Sequence, residues 1–137
     1  EGLGEKGNLS TIVAYLAEAV YQQGRFDEAD ELTEVSESMT FPDDVTSQIS
    51  WRTVRAKVAA RKGNLDVAET LAADAVARAA ATDWPHLRGG ALEGLAEVQI
   101  AVGRADAAAA SAGEALAIYE AKGSVAAADA LRARFHS

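Results

Sequence analysis

Gly24-Arg25-Phe26-Asp27-Glu28-Ala29, Gly63-Asn64-Leu65-Asp66-Val67-Ala68 and Gly103-Arg104-Ala105-Asp106-Ala107-Ala108 carry one pattern. Each is glycine, a polar residue, an apolar residue, Asp, any residue, then Ala. The glycines stand 39 and then 40 residues apart. A period of that length marks stacked supersecondary units, each of which buries its apolar face against a neighbour.

Outward from each glycine the apolar residues fall at helical spacing. Before Gly24 come Leu9, Ile12, Val13, Leu16, Ala17 and Val20, and after it Phe26, Ala29, Leu32, Val35 and Met39. This periodicity predicts one helix on each side of the glycine, with the glycine as a left-handed C-terminal cap. The second unit repeats the plan, with helices over 45–62 and from Leu65 to about Ala81. In the third, one helix ends at Gly103 and its return runs from Ala105 to about Lys122. Pro42-Asp43-Asp44 and Asp83-Trp84-Pro85 supply helix-start chemistry. Ser124 is placed to cap a last helix carrying Val125, Ala128, Leu131 and Phe135. Seven helices are expected: three antiparallel pairs and a terminal one. Residues 1–8 hold three glycines and alternating charges, which predicts a flexible lead-in to a single domain over 9–137.

Composition narrows the function classes. Half of the 137 residues are apolar, many of them alanine, the strongest helix former. A formal charge of −8 opposes non-specific nucleic-acid binding, which needs excess Lys and Arg to displace counterions, and equally opposes anionic membranes. No run of 18 apolar residues predicts a span. Without cysteine there is no thiolate nucleophile or zinc-thiolate site, which suits a cytoplasmic location. Beginning at Glu1 rather than Met, the chain reads as a piece of a longer protein.

Aligning the glycines aligns Ala17, Ala56 and Ala96 before them and Ala29, Ala68 and Ala108 after them, with Phe26, Leu65 and Ala105 between. Small residues in both helices around a turn glycine resemble the tetratricopeptide repeat. The resemblance implies an all-α, right-handed α-α superhelix of three helix hairpins, over about 9–41, 45–82 and 85–122, plus a C-terminal capping helix over 124–136. These repeats are longer than the usual period of about 34 residues, and units one and three lack the large aromatic early in the first helix. A narrower likeness rests on Gly4-Glu5-Lys6-Gly7, Leu9-Ser10-Thr11, Gln22 to Ala29, Ser50-Trp51-Arg52 and Val54-Arg55-Ala56-Lys57. These are similar to helical-repeat tails of bacterial signalling regulators, where a cyclase or a DNA-binding module accompanies an ATPase.

In that family the first helix of each unit lines the inner, partner-binding face. By register this implies a face including Thr11, Ala14, Glu18 and Tyr21, then Thr53, Lys57 and Arg61, then Glu93, Glu97 and Ile100. Glu18, Lys57 and Glu97 hold equivalent places, so their charges alternate. They form either a ladder of internal ion pairs or a polar groove gripping an extended peptide, and the two are compatible. A carboxylate-clamping groove would need a base and an amide where Ala14 and Glu18 stand.

Arg55 replaces the leucine at Leu16 and Leu95, so burial would demand a carboxylate, with Asp30 or Glu34 as candidates. His86 and His136 lie too far apart to share a metal. Gly89-Gly90 lacks the strand and Lys-Ser/Thr of a phosphate loop and suits a close helix contact instead. Trp51 and Trp84 are expected to fill core or inter-unit gaps. No catalytic group, metal or cofactor emerges. The expected function is a non-catalytic protein-interaction scaffold within a larger bacterial signalling protein, binding a protein, a peptide or an adjacent domain. The alternative is a ligand- or peptide-sensing module that controls an attached cyclase, ATPase or transcription factor. A homodimer through the first helix is a further possibility.

Overall fold

The computed structural model describes the backbone of residues 2–135 and the side chains of 9–134. His136, where the predicted last helix ends, lies outside the described residues, as does the side chain of Phe135. The chain is all-helical there: α1 Gly2–Gln22, α2 Phe26–Met39, α3 Val45–Arg61, α4 Leu65–Ala80, α5 Pro85–Val102, α6 Ala105–Lys122 and α7 Val125–Phe135. Helix α1 begins at Gly2, not at Leu9 as its glycines suggested. With no proline among residues 2–8, nothing stops the helix from propagating backwards once Leu9 onward is packed.

The three aligned glycines do what the pattern requires. Gly24, Gly63 and Gly103 have φ of +80°, +85° and +89°, and Gly123 repeats the conformation at +80°. The residue after each glycine donates its backbone N–H five residues back: Arg25 to Val20 at 3.2 Å, Asn64 to Ala59 at 2.9 Å, Arg104 to Gln99 at 2.8 Å and Ser124 to Tyr119 at 2.9 Å. These bonds satisfy carbonyls that the helix end would otherwise leave unpaired. At the other ends, Asp44 accepts from the Ser47 N–H at 3.2 Å, and Pro85 opens α5 at its first turn.

Each glycine returns the chain along the helix just finished, so α1 packs on α2, α3 on α4 and α5 on α6, while α7 packs on α6. Where paired helices meet, Ala17 and Ala29, Ala56 and Ala68, and Ala96 and Ala108 are all buried. Methyl side chains let the backbones approach closely, which explains their recurrence. Gly89 extends the logic: a Cβ there would overlap the Tyr119 ring of α6. Gly90 faces open space.

The two junctions between successive pairs differ in chemistry. Between the second pair and α5 the contact is apolar, with Leu95 and Val98 on Ala68 and Ala72 of α4, and Ala91 on Ile49 of α3 and Ala75 and Ala79 of α4. Between the first pair and α3 an apolar cluster, with Val54 and Val58 on Ala17, Val20 and Ala29, lies beside a polar patch. Ser10 and Ser47 share a buried hydrogen bond of 2.6 Å and Thr11 meets Ser47 at 2.7 Å, while within the first pair Ser36 donates to the Ser10 carbonyl at 2.8 Å.

Arg55 sits in the same junction. Its Nη1 meets Glu37 at 2.9 Å and its Nε donates to Thr33 at 3.1 Å, so the partner carboxylate is Glu37 and not Asp30 or Glu34. Asp30 turns toward Lys62, with Asp27 the nearer acid at 2.6 Å. Trp51 is buried, with the guanidinium groups of Arg52 and Arg55 over its ring at 4.2 and 4.4 Å from the ring centre. Trp84 corrects the expectation made for it: it is 51% exposed at the start of α5, because the extended residue before Pro85 carries its side chain off the core.

Candidate functional site

The first helices of the three pairs share one face, and the side chains singled out by register meet there. Glu18 of α1 pairs with Lys57 of α3, whose ammonium is nearly buried and also lies 5.0 Å from the Tyr21 ring. Tyr21 donates its hydroxyl proton to Glu97 of α5 and accepts from Arg61 Nε at 3.1 Å. Glu93 accepts from Tyr119 at 2.5 Å.

Sequence reasoning missed Arg134 of α7, which closes the row by reaching Glu93 at 2.8 Å and Glu97 at 2.7 Å. Its signal was available: Arg134 stands about one period beyond Glu93 and Glu97. The Tyr21–Glu97 contact was also missed, because register compares adjacent units and this bond joins the first pair to the third. The expected minus-plus-minus ladder is therefore divided. Lys57 is bound to Glu18, whereas Glu97 is bound to Tyr21 and Arg134.

Burial, with Glu97 as acceptor, pushes the Tyr21 phenol up to about 12. Burial and Glu93 likewise raise Tyr119 above the ordinary phenol range. The hydrogen bond to Tyr21 holds Arg61 above its usual value. Both phenols thus stay neutral donors to carboxylates at any physiological pH.

Two clefts flank this bridge, and Lys57 and Arg134 border both. One, of about 300 Å³, has Ala14, Tyr15, Thr53, His86, Gly90 and Ala91 among its lining residues. The other, of about 420 Å³, is lined by Tyr21, Arg61, Glu97 and Ile100. Ile100 is 54% exposed, so the second cleft offers apolar surface beside charge. Thr53 is held by its hydroxyl on the Ile49 carbonyl at 2.9 Å, with its methyl packed against Gly94. Thr11 and Ala14 contribute less than expected, since Thr11 is bonded to Ser47 and Ala14 is buried. Of the ten residues placed by register, nine line one of the two clefts and Thr11 does not.

Among the described residues no group of three or more acids and histidines is placed to hold a metal, and no helix is long and apolar enough to cross a membrane. What the fold and face define is an all-helical protein with a charged, cleft-bearing surface on its first helices. Compared with protein-family models, curated proteins and solved structures, the chain finds no match.

Proposed function

We propose that this chain is a non-catalytic interaction module: a tetratricopeptide-like, right-handed superhelix of three helix hairpins with a capping helix. Its concave first-helix face would receive an extended polypeptide, either from a partner protein or from another domain of a larger bacterial signalling protein. One observation carries the reading. Two clefts lined by both apolar and charged side chains lie on either side of a charge bridge whose members are held by one another: Lys57 by Glu18, and Glu97 by Tyr21 and Arg134. A surface already ordered in this way costs little to order on binding, and alternating apolar and charged features suit an extended chain whose successive side chains differ. The location this implies is cytoplasmic.

The sensor reading draws support from the Tyr21–Glu97 bond, which ties the first helix pair to the third. A ligand carrying its own carboxylate or phenol would compete for that bond and let the pairs rotate relative to one another.

Panning random 12-residue peptides against the chain tests the proposal. Gly90→Arg fills the first cleft from a position where a Cβ meets nothing, and Ile100→Asp charges the second. Enriched peptides should lose at least tenfold in affinity with one of these variants. Enrichment of no sequence, or binding indifferent to both variants, would overturn it.

A further inference from the structure

We infer that Glu93 and Glu97 form a receptor for one guanidinium group, filled here by the chain's own Arg134, and that an arginine of the bound polypeptide takes Arg134's place. The exchange rests on reading this face as a polypeptide-binding surface; the receptor itself does not.

The two acids stand one turn apart on α5, with side chains only 20% and 18% exposed. Like charges at that spacing repel, and partial burial sharpens the repulsion, so the pair calls for a cation. Each carboxylate has one oxygen fixed by a buried phenol: Tyr119 donates to Oε2 of Glu93, and Tyr21 to Oε2 of Glu97. The other oxygen of each, Oε1, meets a separate nitrogen of Arg134, Nη1 at 2.8 Å for Glu93 and Nη2 at 2.7 Å for Glu97. One planar fork thus joins two acids that the phenols already orient. A guanidinium offers donors at fixed spacing, whereas an ammonium is a compact point charge on a flexible stem. The arrangement selects arginine over lysine.

Position makes the resident arginine exchangeable. Glu93 lines the first cleft and Glu97 the second, so the guanidinium lies across the divide between them. Of the two cations that border both clefts, the Lys57 side chain is 8% exposed and that of Arg134 is 40% exposed. A polypeptide running from one cleft to the other therefore meets Arg134 first. An incoming guanidinium replaces like with like, so the acids lose nothing in the exchange. Helix α7 keeps its own anchorage on α6 through Ala128 and Leu131. The partner this describes is an extended segment carrying an arginine, with its flanking side chains in the two clefts.

Nuclear magnetic resonance titration with propylguanidinium and with butylammonium tests the receptor without any peptide. Arg134→Ala and Arg134→Gln are both titrated, so that loss of folding in one leaves the other. Propylguanidinium should shift the Glu93 and Glu97 amide signals saturably and bind at least about tenfold more tightly than butylammonium. Wild type, with its site filled, should bind it at least about tenfold more weakly than the variants. Adding Glu93→Gln and Glu97→Gln should abolish the response. Peptides enriched by panning should contain arginine, and should bind Arg134→Ala about tenfold more tightly than wild type. They should lose about tenfold when that arginine becomes lysine. Absence of selective propylguanidinium binding overturns the inference, whatever the peptides do. Peptides that bind wild type and Arg134→Ala equally, or accept lysine for arginine, overturn the exchange and leave the interaction reading standing. Enrichment of no peptide overturns the interaction reading and the exchange with it, while the titration still decides the receptor.

Discussion

Tyr21 at the end of α1 donates its phenolic proton to Glu97 of α5, so the first and third helix pairs are joined directly over the buried ammonium of Lys57. Neighbouring pairs have extensive apolar or polar junctions to hold them, but these two pairs do not adjoin. The bond therefore puts a direct constraint on the relative rotation of these two pairs. Tyr21→Phe keeps the ring against Phe26, 5.5 Å away, and removes only the hydroxyl. It should cost about 1.5–3 kcal/mol, the value of a hydrogen bond to a charged acceptor. Urea unfolding of Tyr21→Phe, Glu97→Gln and the double variant should give a coupling of at least ~0.5 kcal/mol. Strict additivity would mean that the contact does not form in solution.

The same bond makes stability fall in alkali. The folded state raises Tyr21 from 10.0 to about 12 by burial and by Glu97, and Tyr119 is raised too. A folded-state value above the unfolded one means that the contribution is whole below pH 10 and is lost as pH climbs through 12. Lysines titrate nearby, so the comparison has to be between proteins. The urea midpoint of wild type should drop more between pH 9 and pH 12 than that of Tyr21→Phe. Parallel curves for the two would remove Tyr21 from the account.

Glu18 and Lys57 form an asymmetric pair, with side chains 36% and 8% exposed. Removing Lys57 leaves a carboxylate free to turn into water; removing Glu18 leaves an ammonium in a nearly closed site. Glu18→Ala should thus cost about 1–3 kcal/mol, and Lys57→Met, which keeps the packed stem, under about 1 kcal/mol. Chemical denaturation of both variants decides this, and equal losses would show that burial of Lys57 is not what sets the cost.

The repeat exposed the fold readily because it acts through local rules. A left-handed residue at positions 24, 63 and 103 calls for glycine, and a close helix contact calls for alanine, so both recur in register. Glu18–Lys57 was legible for the same reason: equivalent positions on adjacent helices are neighbours. What lay beyond reach were contacts that skip a unit, such as Tyr21–Glu97, and contacts set by rotamer choice. Arg55 took Glu37 over Asp30 and Glu34, and helical periodicity places all three acids on α2 without saying which carboxylate reaches. Trp84 misled because its place at a junction was clear while the direction imposed by Pro85 was not.

The adjacent glycines of α5 give opposite predictions. At Gly90 a Cβ meets nothing, so Gly90→Ala only removes the entropic cost of glycine in a helix and should stabilise by about 0.5–1 kcal/mol. At Gly89 the Cβ would overlap the ring of Tyr119, which is 3% exposed and fixed through its hydroxyl to Glu93. The ring has nowhere to go without breaking that bond or parting α5 from α6, so Gly89→Ala should lose about 2–3 kcal/mol despite the better helix former. Gly94→Ala lies between them, since its Cβ would come within 2.6 Å of one atom, the Thr53 methyl, where the Gly89 Cβ would overlap three atoms of Tyr119. The order of melting temperatures should be Gly90→Ala above wild type, then Gly94→Ala, then Gly89→Ala. A Gly89→Ala protein as stable as wild type would show that α5 and α6 are not packed as closely as the Gly89–Tyr119 contact requires.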